Sequence, residues 1–286
     1  MQKKREFINI LNATRIKRIF PSLILILIPV AYLDIFSLKL IILGITMFLT
    51  YASSGLYNAY RDKDYPLPKY HKKISIAFLI LALTLACFDK IILIFFVISV
   101  ILGIGYNTIA RKIILADHLI ISLTHFVIPL MASFLILNSN IKDIIYFLIP
   151  IYFFGVLSNS IKNLKDITED KKRGYKTISN TIKNPIKITS ILFIISFIFL
   201  EIFYMLFNIS KFTLISLCFL LIFNLFIICK ISIKKFKQAL NLYRIYLMFS
   251  FFLLIINLTK KIQIIFLTFI IFLTFFIIEK WEKFTI

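Results

Sequence analysis

The sequence predicts an all-α protein: a polytopic membrane bundle of nine transmembrane helices around a central chamber, with a tenth candidate span at the end of the chain. Three observations predict it. The 286 residues are 60% hydrophobic and 16% charged, whereas soluble domains run near about 45–50% apolar and about 25% charged. Mean hydropathy is +0.96, and the apolar residues fall in runs close to the roughly 20 that a membrane-crossing helix needs. Finally, 32 Phe and abundant Ile fill these runs continuously, where barrel strands would alternate over about ten residues.

The runs follow one another with short connections. The first, 19–36, comes after six basic residues and lacks a small-residue cleavage site, so it reads as a retained span and not a removed signal peptide. The second, 38–57, closes on a cluster of amide and acid residues. The third and fourth, 74–88 and 91–105, are short for a full crossing. The fifth, 118–137, and sixth, 143–161, are of ordinary length, and the sixth closes on a second acidic cluster. Runs at 186–207, 213–229, 245–258 and 262–278 complete the chain, which reads as a single domain over 1–286. Pro29, Pro129 and Pro150 fall inside spans, where they are expected to kink the helices and help open a chamber.

Thirty-four Lys and Arg against 13 Asp and Glu give a formal charge of +21. Such an excess raises the question of nucleic acid, but in a membrane protein basic residues collect on the cytoplasmic side as a topology signal, and no nucleic-acid partner is expected. With the N-terminus in the cytoplasm, the N-terminal segment and the turns at 58–73, 106–117, 162–187 and 230–244 hold 26 basic residues, against six on the other side. The discordant spot is Lys260-Lys261. Cys87, Cys218 and Cys229 sit inside apolar runs without metal or disulfide spacing and read as small core hydrophobes.

Acid is scarce and gathered. Asp62, Asp64, Asp117, Asp166, Glu169 and Asp170 all lie on turns assigned to the cytoplasm. The first cluster, 58–64, reads Asn58-Ala59-Tyr60-Arg61-Asp62-Lys63-Asp64, with Asn58 and Asp62 one helical turn apart. The second, 163–170, places Asn163, Asp166 and Asp170 on one helical face. Four crossings separate the clusters, and an even number returns the chain to the same side. Carboxylates held together repel unless a cation neutralises them, and oxygen ligands of this kind suit Mg²⁺ together with phosphate oxygens. The interleaved Arg61, Lys69, Lys72, Lys165, Lys172, Arg173 and Lys176 suit a metal-bound diphosphate.

These two motifs resemble those of the UbiA family of intramembrane prenyltransferases. Asn-x-x-x-Asp-x-Asp ends the second span, and Asp166-x-x-x-Asp170-x-x-x-Gly174-x-Lys176-Thr177 ends the sixth. The turn from Tyr106 through Arg111 and Lys112 is similar to the tyrosine-then-basic element that the family carries after its fourth span. The first motif departs from the family pattern, with Ala59 and Pro66 where further Asp residues are usual. The resemblance implies that Asn58, Asp62 and Asp64 hold one Mg²⁺ and Asn163, Asp166 and Asp170 another. It also implies that Tyr106, Arg111, Lys112 and the basic residues beside the motifs bind a polyprenyl diphosphate. The implied reaction is ionisation of the allylic bond and capture of the cation by an aromatic or lipid acceptor, with Asp62, Asp166 and Asp170 as catalytic carboxylates.

Simpler readings stand for other residues. Asp117 reads as a favourable helix-start residue, His125 as a histidine facing a neighbouring helix, and Glu201 as an interfacial group. Lys234, Lys235, Lys237 and Arg244 read as a topology and headgroup patch. Two other functions compete: a transporter, disfavoured because the span centres carry almost no charge, and a CDP-alcohol phosphotransferase, whose Asp-Gly-x-x-Ala-Arg run is absent.

Overall fold

A computed structural model of the chain describes residues 9–10, 12–63, 67, 70–207 and 209–283, and all regular structure in them is helical. After a 3₁₀ turn at Ile16–Arg18, α1 (Phe20–Leu33) starts with Pro21 in its first turn, where a missing N–H costs nothing, and carries Pro29 inside. It is followed by α2 (Lys39–Asp62), α3 (His71–Ala86) and α4 (Lys90–Thr108). The fifth span is α5 (Ala116–Ser122), a π-helical turn at Leu123–Val127, and α6 (Ile128–Ile136). The sixth is α7 (Ile141–Ser158) continued by α8 (Ser160–Lys165), after which come the short α9 (Ile167–Lys172) and α10 (Ile178–Thr181). Four long helices finish the chain: α11 (Pro185–Phe207), α12 (Lys211–Ser232), α13 (Phe236–Leu258) and α14 (Ile262–Lys283).

Among the described residues nine helical stretches are long and apolar enough to cross a membrane, the last of them at Ile262–Glu279. Helix α3 is the element left out. Its 16 residues reach about 24 Å at 1.5 Å per residue, short of the roughly 30 Å hydrocarbon core. It packs closely against α2 and is joined to it near its start by Ser53 and Ser75, whose hydroxyls lie 2.9 Å apart and each donate to the other's carbonyl. Helix α14 is tied at both of its ends. Lys261 Nζ lies 2.9 Å from Asp34 Oδ1 at one end, and Glu279 Oε2 lies 2.8 Å from Lys17 Nζ at the other. The discordant Lys260-Lys261 pair therefore sits beside an acid on its own side.

Several helix starts at the end away from the acidic clusters are capped by side chains. Asp89 accepts from the N–H groups of Ile91 and Ile92 at 2.8 and 3.3 Å, and Asn140 from Lys142 at 3.1 Å, satisfying amides that the first helical turn leaves open. One aromatic-rich core runs through the bundle, with Phe154, Phe193, Tyr246 and Phe251 fully buried. Leu, Ile and Phe cover the outside in quantity, as for Ile76, Ile101, Phe219 and Phe266, which is how a lipid-facing surface differs from a soluble one. The three cysteines are free and face outward with them, and not into the core as the sequence suggested.

Candidate active site

Helix α2 delivers the first motif. It ends at Asp62 because Lys63 turns left-handed, at φ 53°, and it buries Asn58 and Asp62 together while Arg61 stays half-buried. The second motif is a broken helix. Asp166, at φ −100° and ψ 10°, separates α8 from α9, so Asn163, Asp166 and Asp170 are not on one continuous helix, yet all three line the same cavity. Helix α9 then stops on Gly174 at φ 70°. The N–H of Gly174 donates to Lys171 O at 3.1 Å and that of Tyr175 to Asp170 O at 2.9 Å, the paired bonds of a left-handed helix stop. That reversal sends Tyr175 back over the mouth.

The two motifs meet. A cavity of about 370 Å³ is lined by Asp62 from the first motif, Asn163, Asp166, Glu169 and Asp170 from the second, and Asp117, Lys162 and Arg173. A second space of about 300 Å³ runs inward between α2, α4 and α5, lined by Thr50, Tyr51, Val100, Ile104, Ile121 and His125 among others. The two spaces share Arg15, Arg18 and Tyr106. A polar, acid-lined mouth therefore adjoins a mainly apolar chamber, with these three side chains in the wall of both.

The two halves of the mouth differ in charge. Asp62 is surrounded by guanidinium groups. Arg111 Nη1 lies 2.9 and 2.7 Å from its two carboxylate oxygens, Arg61 donates twice to Oδ1 at 3.2 and 3.1 Å, and Arg15 stands 3.6 Å from Oδ2. Tyr175 donates its hydroxyl to Oδ1 at 3.1 Å, and Arg173 donates to the Asp62 carbonyl at 2.9 Å. Arg111 lies over the rings of Tyr106 and Tyr175, 4.7 and 4.9 Å from their centres. Its Nη2 approaches Asn58 Oδ1 at 3.5 Å.

The other half is rich in acid. Asp117 is 3% exposed; its Oδ2 accepts from the Asn163 amide at 3.3 Å, while its Oδ1 has no hydrogen-bond partner among the described residues. The same amide lies 2.7 Å from His118 Nε2. His118 Nδ1 lies 2.9 Å from the Val156 carbonyl, so the ring donates there and accepts from Asn163. With its nitrogen so engaged, Asn163 has its carbonyl oxygen left to offer. Burial pushes the Asp170 carboxyl up to about 6, with the charges of Asp166 and Asp117 adding to the rise and those of Lys162 and Arg111 opposing it. A carboxylate set held this way gains from an added cation, although among the described residues no three acids or histidines already stand close enough to hold one.

Other expected site residues divide. Tyr106 lines both spaces and accepts from Lys162 Nζ at 3.2 Å. Lys165 lines the mouth, 3.5 Å from Asp166. Lys72, Lys112, Lys172 and Lys176 are exposed and do not line the cavity; Lys72 lies over the Tyr60 ring instead, at 4.7 Å, and Lys176 contributes only its backbone N–H, to Arg111 O at 2.9 Å. Asp64 and Lys69 lie outside the described residues. Sequence reading left out Arg15, Arg18, Asp117, Lys162 and Tyr175. For Asp117 the signal was present, an acid beside a histidine on the motif side. Arg15 and Arg18 were hidden among topology charges. His125, read as facing a neighbour, lines the inner chamber with the Tyr51 ring 4.7 Å away and Ser22 donating to its carbonyl at 2.9 Å.

The sequence profile of the UbiA prenyltransferase family matches residues 68–254, more than half of the chain. The chain belongs to that family. Solved structures agree in fold. A UbiA homologue from Aeropyrum pernix K1 in its apo form superposes with TM-score 0.69 at 11% identity, covering 84% of this chain and 97% of its own. A digeranylgeranylglyceryl phosphate synthase gives 0.62 at 18% identity, over 91% and 100%. A UbiA homologue from Archaeoglobus fulgidus bound to DMAPP and Mg²⁺ gives 0.60 at 16% identity, over 86% and 99%. A comparison with curated protein sequences matches none of them. This UbiA-family chain is thus an integral membrane protein of the prenyltransferase class, and the transporter and CDP-alcohol phosphotransferase readings lose their support.

Proposed function

We propose that the protein moves an isoprenyl group from a polyprenyl diphosphate to a hydrophobic or aromatic acceptor inside the bilayer, with Mg²⁺ at a mouth that opens to the cytoplasm. The observation that carries this reading is the junction of the acid-lined cavity with the apolar chamber at Arg15, Arg18 and Tyr106. An amphiphile with a polyanionic head and an isoprenoid tail matches both spaces and the step between them. The excess of basic residues on the N-terminal segment and the turns of the same side supports the cytoplasmic orientation. The family relatives solved with dimethylallyl and geranyl diphosphates and Mg²⁺ support the donor class.

Asn163, Asp166 and Asp170 would hold the cation, and their donor chemistry fits it: hard oxygens, an amide oxygen left over, and a carboxyl whose charge is unwelcome until compensated. Bound there, Mg²⁺ would offset the charge that grows on the diphosphate. Arg15, Arg18, Arg111, Lys162 and Lys165 would grip the diphosphate oxygens. The donor's C1–O bond breaks with its electron pair leaving on the diphosphate. The acceptor's nucleophilic atom bonds to C1, and the diphosphate takes up the proton the acceptor sheds. Ile104, Ile121 and Val100 keep water from the allylic cation, while the faces of Tyr51 and Tyr106 stabilise its charge.

The test is to incubate the purified protein with Mg²⁺, labelled geranylgeranyl or farnesyl diphosphate and a panel of acceptors. Diphosphate release with a prenylated product is expected, and Asp166→Ala should abolish it while leaving the protein folded and extractable. Consumption of no prenyl diphosphate, or full activity in both Asp62→Ala and Asp166→Ala, would overturn the reading.

A further inference from the structure

We infer that His125 selects the acceptor. Its ring, held by Ser22 in the tautomer with the proton on Nδ1, offers a bare Nε2 inside the apolar chamber, where it accepts a hydrogen bond from an acceptor that carries an uncharged hydroxyl. This role rests on the prenyl-transfer reading and deepens it at the end of the site that meets the acceptor.

The turn that carries His125 is fixed from two sides. Pro129 stands four residues on and has no N–H to close a helical bond to the His125 carbonyl. The helix widens here into the π-helical turn at Leu123–Val127, in which the Ile128 N–H reaches back to Leu123 O. Single π turns inside α-helices are frequent at functional sites. Two carbonyls of this turn are taken by neighbouring helices: Tyr51 of α2 donates its hydroxyl to Thr124 O, and Ser22 of α1 donates to His125 O at 2.9 Å. Ser22 also sets the chemistry of the ring. Its hydroxyl has one proton, already given to the carbonyl, so its lone pairs face Nδ1 at 3.4 Å and favour the proton on that nitrogen.

The other nitrogen, Nε2, has no hydrogen-bond partner among the described residues, although His125 lines the chamber. Nearby hydroxyls are spent elsewhere. Thr50 donates to Thr46 O at 2.7 Å, Thr124 to Ile120 O at 2.9 Å, and Tyr51 to the backbone of the π turn itself. Around the imidazole stand the Tyr51 ring at 4.7 Å and the apolar chamber residues Ile19, Val100 and Ile121. His125 lies eight residues beyond Asp117 on the same span, about 12 Å further in at about 1.5 Å per residue. That depth suits the acceptor and not the diphosphate, while Arg18 lines the same chamber and the mouth as well. A bare ring nitrogen in an apolar pocket gains most from a molecule that brings it a donor. A carboxylate or phosphate oxygen brings only lone pairs and gains nothing there, and an analogue without the hydroxyl leaves the nitrogen unmet, the discrimination that a site built to bond a hydroxyl achieves.

The experiment reads the ring directly, by nitrogen NMR of the full chain labelled with ¹⁵N-histidine in lipid nanodiscs, the His125 signals being those lost in His125→Leu. A protonated Nδ1 and a bare Nε2 are expected, and Ser22→Ala should release the ring into a mixture of tautomers. Titrated 1-naphthol should shift the Nε2 signal saturably, whereas 1-methoxynaphthalene, with the same rings and no hydroxyl, should leave it in place. In the prenyl-transfer assay, His125→Leu should raise KM for the hydroxylated acceptor about tenfold with KM for the prenyl diphosphate unchanged. His125→Gln, whose amide oxygen can accept in place of Nε2, should restore part of the loss. A protonated Nε2 in the free protein, equal responses to the two naphthalenes, or an unchanged acceptor KM in His125→Leu overturns the role of His125. Transfer that proceeds with acceptor KM unchanged in His125→Leu leaves the proposed function standing and this role fallen. A naphthol response without any consumption of prenyl diphosphate keeps the hydroxyl site and removes the transfer reading.

Discussion

Gly55→Ala tests how the mouth is assembled. In the middle of α2 an alanine would ordinarily stabilise the helix by about 1 kcal/mol. Here a Cβ at Gly55 would lie 2.6 Å from the carbonyl carbon of Thr14 and nearer still to its oxygen. Carbon atoms in contact need about 3.5 Å, so the N-terminal segment must retreat by about 0.9 Å. The obstacle is backbone, which cannot turn aside like a side chain, so the upper end of the overpacking range, about 3 kcal/mol, applies. The net loss is then about 2 kcal/mol, a fall in Tm of roughly 4 °C at about 2 °C per kcal/mol for a chain of this size. Because Thr14 precedes Arg15, the same retreat draws Arg15 away from Asp62, and donor binding should weaken with stability. Gly44→Ala, on the same helix, is the control: its Cβ meets Leu23 and Ile26 at 3.8 and 3.9 Å, ordinary contact distances, and it should be neutral or slightly stabilising. Thermal unfolding in detergent, followed by the loss of helical circular dichroism, compares the two. A Tm for Gly55→Ala equal to or above wild type would refute the close approach of the N-terminal segment to α2.

Three further outcomes follow from the same geometry. Because the fold disfavours the charged form of Asp170, Asp170→Asn should raise Tm at pH 7 in EDTA by the equivalent of about 1 kcal/mol, the shift being discounted for solvent screening at a partly exposed group, and yet lose prenyl transfer; a lower Tm in EDTA would count against the strained carboxylate. Tyr175→Phe removes the hydroxyl that donates to Asp62 at 3.1 Å and accepts from Arg111 at 3.2 Å. At about 1 kcal/mol for such a bond, KM for the prenyl diphosphate should rise roughly fivefold in steady-state assays, and an unchanged KM would show that the clamp on Arg111 does not matter. Lys17→Met breaks the nearly buried pair with Glu279 and should cost about 3–5 kcal/mol, while Lys17→Met with Glu279→Leu should recover most of it; equal stabilities of the single and double variants by denaturant titration would refute a docked α14.

The sequence by itself determined the bundle, because apolar runs of span length have one way to satisfy their backbone in lipid, and it pointed to both acidic clusters emerging on one side, because an even number of apolar runs, four, separates them. It also contained the departure at Ala59 and Pro66, whose meaning depends on what stands nearby. Only the tertiary structure decided which side chains face Asp62. Spacing along α2 pairs Asn58 with Asp62, but the partner that fills the space between them, Arg111, arrives 49 residues later on another span, and Arg15 arrives from a segment whose charges read as topology signals. The same holds for Asp117, whose place in the first turn of α5 suggests a dipole partner, until the packing of α8 brings the Asn163 amide against its Oδ2 in the wall of the cavity. Hydropathy and periodicity report on each helix against its solvent; the charge of a mouth built from five segments is a sum over neighbours that are distant in the chain.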